Sequence, residues 1–242
     1  MSDDIKNNSN LRSNFRTVML RPDLGAIVGV ILVFLFFFLV ARDTGMFSLE
    51  GSMNWGIVSS QFIIIAVGAC LLMIAGEFDL SVGSMIGFAG IVIAVTSVVW
   101  GWPVWLSIIS AFAISMAIGA LIGYITISTN LPSFIVSLAF LYILRGLTIF
   151  IAIISTKKTI IGGVTEVAQD DWLAPIFGGE IFTGVFQWLA EQGMIQTFVA
   201  GTKAGQPVVS GIPMMMVWAL GLIVFAHFLL TKTRFGNWIY AS

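Results

Sequence analysis

The sequence predicts an all-α integral membrane protein, a polytopic transmembrane helix bundle with about six spans. Of its 242 residues 58% are hydrophobic and 10% charged, and the mean hydropathy is +1.03, far beyond a soluble domain. The apolar residues also gather into runs long enough to cross a bilayer core, which takes roughly 20 residues. These runs do not alternate in the short period of a membrane barrel, so the backbone hydrogen bonds must close within helices.

In order, spans are expected at 24–41, 55–75, 82–100, 104–128, 133–154 and 212–230. The first, "GAIVGVILVFLFFFLVA", exceeds the apolar core of a cleavable signal peptide and runs into "RDTGMF" without a small-x-small site, so it reads as a signal anchor. The third offers the small pairs Gly83/Gly87 and Gly90/Ala94. The fourth repeats Ala111, Ser115, Gly119 and Gly123 every four residues, a spacing that lets another backbone approach closely. In the sixth, His227 reads as a helix-to-helix hydrogen bond.

Orientation follows from Lys and Arg. Lys6, Arg12, Arg16 and Arg21 precede the first span and Arg42 alone follows it, so the N-terminus is expected in the cytoplasm. This gives a cytoplasmic tail at 1–23, five spans with short loops over 24–154, an external segment at 155–211, the sixth span at 212–230 and a cytoplasmic end at 231–242. Lys232 and Arg234 agree with that end, and Trp55, Trp100, Trp102 and Trp105 fall at the outer ends of their spans as an interfacial belt. Within the external segment, 155–171 reads as polar loop with short extended pieces and 172–194 as short helices lying in the outer interface.

Composition also excludes chemistries. A net charge of −1 without basic blocks gives no footprint for nucleic acid. The single Cys70 cannot form an internal disulfide, and no Cys/His cluster exists to hold a metal. No residue pattern points to catalysis.

Two anomalies remain. Glu77 and Asp79 in "MIAGEFDLSVGSMIG" stand between two apolar runs, where an ionised Asp at a helix centre would cost roughly 2.5–3.5 kcal/mol. A helix break over 76–84 resolves that cost, with Gly76 ending the second span and Asp79 or Ser81 capping the third. The same residues, with Gly83 and Ser84, can instead line a polar path or dock a partner. Arg145 is the second anomaly. It lies 12 residues into the fifth span, about 18 Å deep, and needs a partner or water. An ion pair with Asp79 is the candidate, although depth argues against direct contact if the acids sit at the inner face.

"GEFDLSVGSMIGFAGIVIA" at 76–94 resembles the G-[GE]-x-D-L-S-V-G-S signature of the membrane permease subunits of bacterial sugar ABC importers of the ribose/xylose/galactose type. "LPSFIVSLAFLYILRGLTIFI" at 131–151 is similar to the family's P-x-F-I-V-x-L segment preceding an R-G pair. "GIPMMMVWALGLIVFAHFLLTKTRFGNWIYA" at 211–241 resembles its G-I-P span followed by T-x-F-G-x-x-I-Y-A. The three segments come in the family's order.

The resemblance implies a multi-pass permease of the bacterial inner membrane that carries a monosaccharide and does no covalent chemistry. Its implied partners are two cytoplasmic ATP-binding subunits, a periplasmic solute-binding protein, a second permease copy and membrane lipid. It implies no cofactor on this chain, ATP being bound by the partner subunit; "GTKAGQ" at 201–206 is not a P-loop. Thr233, Phe235 and Gly236 would begin the region coupled to the ATPase, and since the family pattern continues past Y-A, the expectation is a chain truncated before the coupling helix. The external segment is longer than the family's usual one. The alternatives are a same-superfamily permease for a nucleoside, autoinducer or amino acid, and an ion-coupled secondary transporter using Glu77, Asp79 and Arg145 as a relay.

Overall fold

A computed structural model describes residues 22–199 and 204–241. The expected tail therefore lies outside the described residues over 1–21, as do 200–203 of the external segment and Ser242. Among the described residues six helices are long and apolar enough to cross a membrane: Leu24–Thr44, Leu49–Ile74, Val82–Val99, Val104–Thr129, Ser133–Thr156 and Met214–Lys232. These six candidate spans fit an all-α polytopic membrane protein.

The chain forms two compact units, Met1–Asn54 and Trp55–Ser242. In the first, α1 (Pro22–Ala41) exposes its apolar side chains all round, as a helix facing lipid does. A short 3-10 turn, Arg42–Thr44, and Gly45 at φ +80° end it. Ser48 then starts α2 (Leu49–Ile74), its hydroxyl accepting the Gly51 N–H at 3.1 Å. The helix thus begins six residues before the apolar run at 55 and continues into the second unit.

The second unit is organised around α3 (Val82–Ala94), the most buried of the spans. It packs against α4 (Val104–Thr129) and α5 (Ser133–Thr156). Phe88, Ile91, Val92 and Val95 meet Ala111 of α4 and Leu144 and Ala152 of α5 in one core cluster. Beyond Ala94 the helix widens into a π-helical turn, Val95–Val99, in which the Trp100 N–H reaches the Val95 carbonyl at 3.0 Å. The hydroxyls of Thr96 and Ser97 donate to carbonyls of the preceding turn, Thr96 to Val92 at 2.7 Å and Ser97 to Ile93 at 2.7 Å. Buried polar side chains are satisfied in this way without a partner helix.

The predicted small-residue ridges are only partly used. Ala94 and Ala111 are buried, and Gly87 lies in ordinary contact distance of Thr148. At Gly83, Gly90, Gly119 and Gly123 nothing within the described chain approaches closely enough to require a glycine. His227 is exposed and its imidazole forms no hydrogen bond among the described residues, so the expected helix-to-helix bond is not made here.

The 155–211 segment is more ordered than a polar loop. It contains α6 (Val164–Ala168), where extended pieces are expected from sequence, then α7 (Ala174–Gly178), β1 (Glu180–Ile181) and α8 (Thr183–Glu191). β1 pairs antiparallel with β2 (Ile212–Pro213), Glu180 opposite Pro213 and Ile181 opposite Ile212. The sixth span, α9 (Met214–Lys232), therefore starts two residues later than the apolar run suggests. Phe177 of α7 stacks on Trp218 of α9 at 5.8 Å, and the Trp218 indole N–H donates to the Ile176 carbonyl at 2.8 Å. A short helix, α10 (Arg234–Ala241), follows α9.

Candidate functional site

The break between α2 and α3 is built from local chain chemistry. Gly76 adopts φ +78°, a conformation that costs a residue with a side chain roughly 1–2 kcal/mol. Its N–H bonds the Met73 carbonyl at 3.0 Å and the Glu77 N–H bonds that of Leu72 at 3.1 Å. This is a Schellman closure, which satisfies carbonyls at the end of α2. Residues 77–80 carry no regular secondary structure, and after a turn at Ser81 helix resumes at Val82. The break is thus shorter than 76–84: Gly83 and Ser84 belong to the first turn of α3.

Two serines of α5 hold this irregular piece. The Phe78 N–H donates to the Ser133 hydroxyl at 3.0 Å, and the Leu80 N–H to that of Ser137 at 3.1 Å. Ser137 is fully buried, and its own hydroxyl lies within reach of the Phe78 and Phe134 carbonyls. The match is geometric. Alternate N–H groups of 78–80 meet serines spaced one helical turn apart, about 6 Å by helical rise. Sequence reading missed both serines, whose partners lie 55 and 57 positions away in the chain.

Asp79 turns inward on its own segment. One carboxylate oxygen accepts the Ser81 N–H at 2.7 Å and the Ser81 hydroxyl at 2.6 Å. Ser81 occupies the N-cap position but its hydroxyl makes no cap bond; it is committed to Asp79, and the Ser81 carbonyl accepts the Met85 N–H at 2.9 Å. Glu77 is exposed and forms no side-chain bond among the described residues.

Arg145 does not pair with Asp79. The one ion pair among the described residues joins Arg42 and Asp43 at 3.5 Å. Register explains this: the acidic turn is pinned beside Ser137, and Arg145 lies two turns further along α5, about 12 Å away by helical rise. Arg145 instead borders an open groove of about 410 Å³ between α3 and α5. Gly83, Ser84 and Gly87 form one wall; Leu141, Arg145 and Thr148 contribute to the other. The structure thus brings Gly83 and Ser84 to Arg145, and Asp79 to Ser81, and leaves Glu77 apart from both.

At the other end of the second unit, Thr233 is extended and breaks the helix between α9 and α10. Its hydroxyl donates to the Leu229 carbonyl at 2.6 Å and accepts the Gly236 N–H at 3.3 Å. A Cβ at Gly236 would collide with the Leu229 and Leu230 carbonyl oxygens, so only glycine allows so tight a corner. Phe235 is exposed beside it, as are Trp238 and Tyr240.

Asp171 is a further organising residue that sequence reading passed over. One carboxylate oxygen accepts the Trp105 N–H at 3.0 Å and the other the Leu173 N–H at 2.9 Å, tying the 155–211 segment to the start of α4. Burial would raise its pKa, but the backbone N–H donors around it, led by Leu173 and Trp105, prevail and hold the carboxyl below its ordinary range. Among the described residues no group of three or more His, Cys, Asp or Glu could hold a metal.

Six apolar helices, an interrupted entry to the central one and a mid-span cation facing an open groove define a polytopic membrane protein with polar features at span depth. Residues 52–242 match the family described as branched-chain amino acid transport system / permease component, and the chain belongs to that family of transport permeases. It is 28% identical over 239 residues to the xylose transport system permease protein XylH of Escherichia coli (strain K12), covering 88% of this chain and 61% of that protein. The ribose import permease protein RbsC of the same strain is 30% identical over 181 residues, 74% of this chain and 45% of that protein. The chain thus spans about three-fifths of the length of its xylose relatives. No solved structure matches it significantly.

Proposed function

We propose that the chain is the transmembrane permease subunit of an ATP-binding-cassette importer and forms the pathway for a monosaccharide delivered by a periplasmic binding protein. The observation that carries this reading is the family match over 52–242, together with relatives whose names specify xylose and ribose. Energy would come from two cytoplasmic ATP-binding subunits. A second permease copy would complete the pathway, in the inner membrane of a bacterium. In this reading 155–211 faces the periplasm, and the corner formed by Thr233, Phe235 and Gly236 opens the region that meets the ATPase.

The solute path would run along the groove bordered by Gly83, Ser84 and Arg145. An unpaired guanidinium at mid-span is costly in lipid and is supported where it faces water or a passing polar solute. The serine clamp at Ser133 and Ser137 would fix the start of α3 and so the groove wall. Uptake of radiolabelled D-xylose and D-ribose in cells lacking their own permeases for these sugars, with and without this chain, tests the assignment. Arg145→Ala should abolish uptake while leaving the amount of chain in the membrane unchanged; undiminished uptake would remove Arg145 from the path.

The description of the family favours a second reading, a branched-chain amino acid as solute. Uptake of L-leucine in place of the sugars would establish it.

A further inference from the structure

A set of polar side chains without hydrogen-bond partners among the described residues lies in the 155–211 segment. α8 carries Thr183, Gln187 and Glu191 at four-residue spacing, which puts them on one face over about 12 Å. That face lines a cleft of about 300 Å³, closed on the other side by Phe198, Gln206 and Ser210. The size falls at the lower end of small-molecule sites, which run from roughly 300 to 1,000 Å³.

Both walls are fixed by backbone bonds. α8 follows directly on β1, which pairs with β2. The opposite wall is a short antiparallel return: the Phe198 N–H bonds the Gln206 carbonyl at 2.9 Å, the Gly205 N–H that of Phe198 at 2.9 Å and the Val208 N–H that of Gln196 at 2.9 Å. The side chains of Thr183, Gln187, Glu191, Gln206 and Ser210 are not spent on holding this frame. None makes a hydrogen bond or ion pair within the described structure.

The lining selects a ligand class. Among the described residues no Lys or Arg borders the cleft. A single carboxylate is too few for a calcium-type cation, which takes roughly 6–8 oxygen ligands. Two amides, two hydroxyls and one carboxylate can both donate to and accept from vicinal hydroxyl groups. The half-exposed ring of Phe198 adds an apolar face for the C–H side of a sugar ring.

We propose that this cleft binds a small neutral polyhydroxylated solute of the monosaccharide class, as a site separate from the Arg145 groove. The proposal rests on the reading that the chain serves a sugar importer and that 155–211 faces outward. Solute would then be retained at the outer surface before it enters the bundle.

The test is equilibrium dialysis of the full chain in lipid nanodiscs with radiolabelled D-xylose and, separately, D-ribose, with inorganic phosphate and L-leucine as competitors. Saturable binding of at least one sugar, indifferent to both competitors, is expected. Gln187→Ala and Gln206→Ala should each weaken it roughly two- to tenfold, the loss expected for one net hydrogen bond. Glu191→Gln should retain it, as a neutral ligand requires. Absence of saturable binding, displacement by phosphate or leucine, loss in Glu191→Gln, or binding that ignores both glutamines but disappears in Arg145→Ala would each overturn the proposal. Sugar uptake by cells, measured in parallel, separates the two readings. Uptake without cleft binding refutes the cleft alone, whereas glutamine-dependent cleft binding without uptake upholds the cleft and refutes the importer.

Discussion

Ser137 decides whether the entry to α3 holds its shape. It is fully buried, accepts the Leu80 N–H and sits within reach of two carbonyls, so Ser137→Ala would remove the partner of a part-buried N–H at a cost of about 1 kcal/mol. Asp79→Ala removes both bonds to Ser81 and should cost about 1 kcal/mol, in the range of a lost cap. Glu77→Ala should be neutral, because Glu77 is exposed and unbonded. Thermal unfolding of the three variants in detergent checks the order, and a loss at Glu77 equal to that at Ser137 would show that the clamp does not hold the break. Gly76 and Asp79 were legible in the sequence, since a carboxylate between apolar runs demands a turn and glycine is the residue that closes one. The serines were not. Their partners lie 55 and 57 positions away in the chain, and no local pattern expresses a contact made only in the folded bundle.

Among the elements, the six spans follow from length and apolarity, and α4 and α5 match expectation closely because Pro103 and Pro132 mark where each can start. The π-helical turn at 95–99 escaped notice since its residues are ordinary helix formers in a membrane; the Thr96 and Ser97 hydroxyls bond back to their own helix there. The β1–β2 pairing escaped too, two residues a side being too short to show alternation. Asp171 gives this part of the fold a pH dependence. Its carboxyl titrates below the ordinary value of 3.8 when folded, so its contribution is fully present above that value and is lost as pH falls through the lower, folded one. The unfolding midpoint of the chain should therefore drop as pH is lowered below about 4. Asp171→Asn should show a smaller drop, having lost that contribution already at neutral pH; an identical drop would mean that the tie between the 155–211 segment and α4 carries no stability.

For the whole molecule, the sequence reading and the structure agree on a helical bundle and part company over what fills it. Gly119 and Gly123 face nothing within the described chain, and the groove beside Arg145 stays open, so the spacing that reads as packing is not satisfied by these spans alone. Sidedness is testable directly. In a chain with Cys70 replaced, a cysteine at Thr165 should react with an impermeant reagent added outside the cell and one at Thr233 should not; the reverse pattern would invert the orientation. The central claim, that this permease serves an ATP-driven sugar importer, is tested most directly by the energy source of D-xylose uptake in cells supplied with the cognate ATPase and binding protein. Uptake should survive collapse of the proton gradient while ATP is maintained, and should vanish when the ATPase subunit is inactivated. Uptake that persists without a working ATPase but disappears with the proton gradient would contradict the claim and make Arg145 part of an ion-coupled carrier.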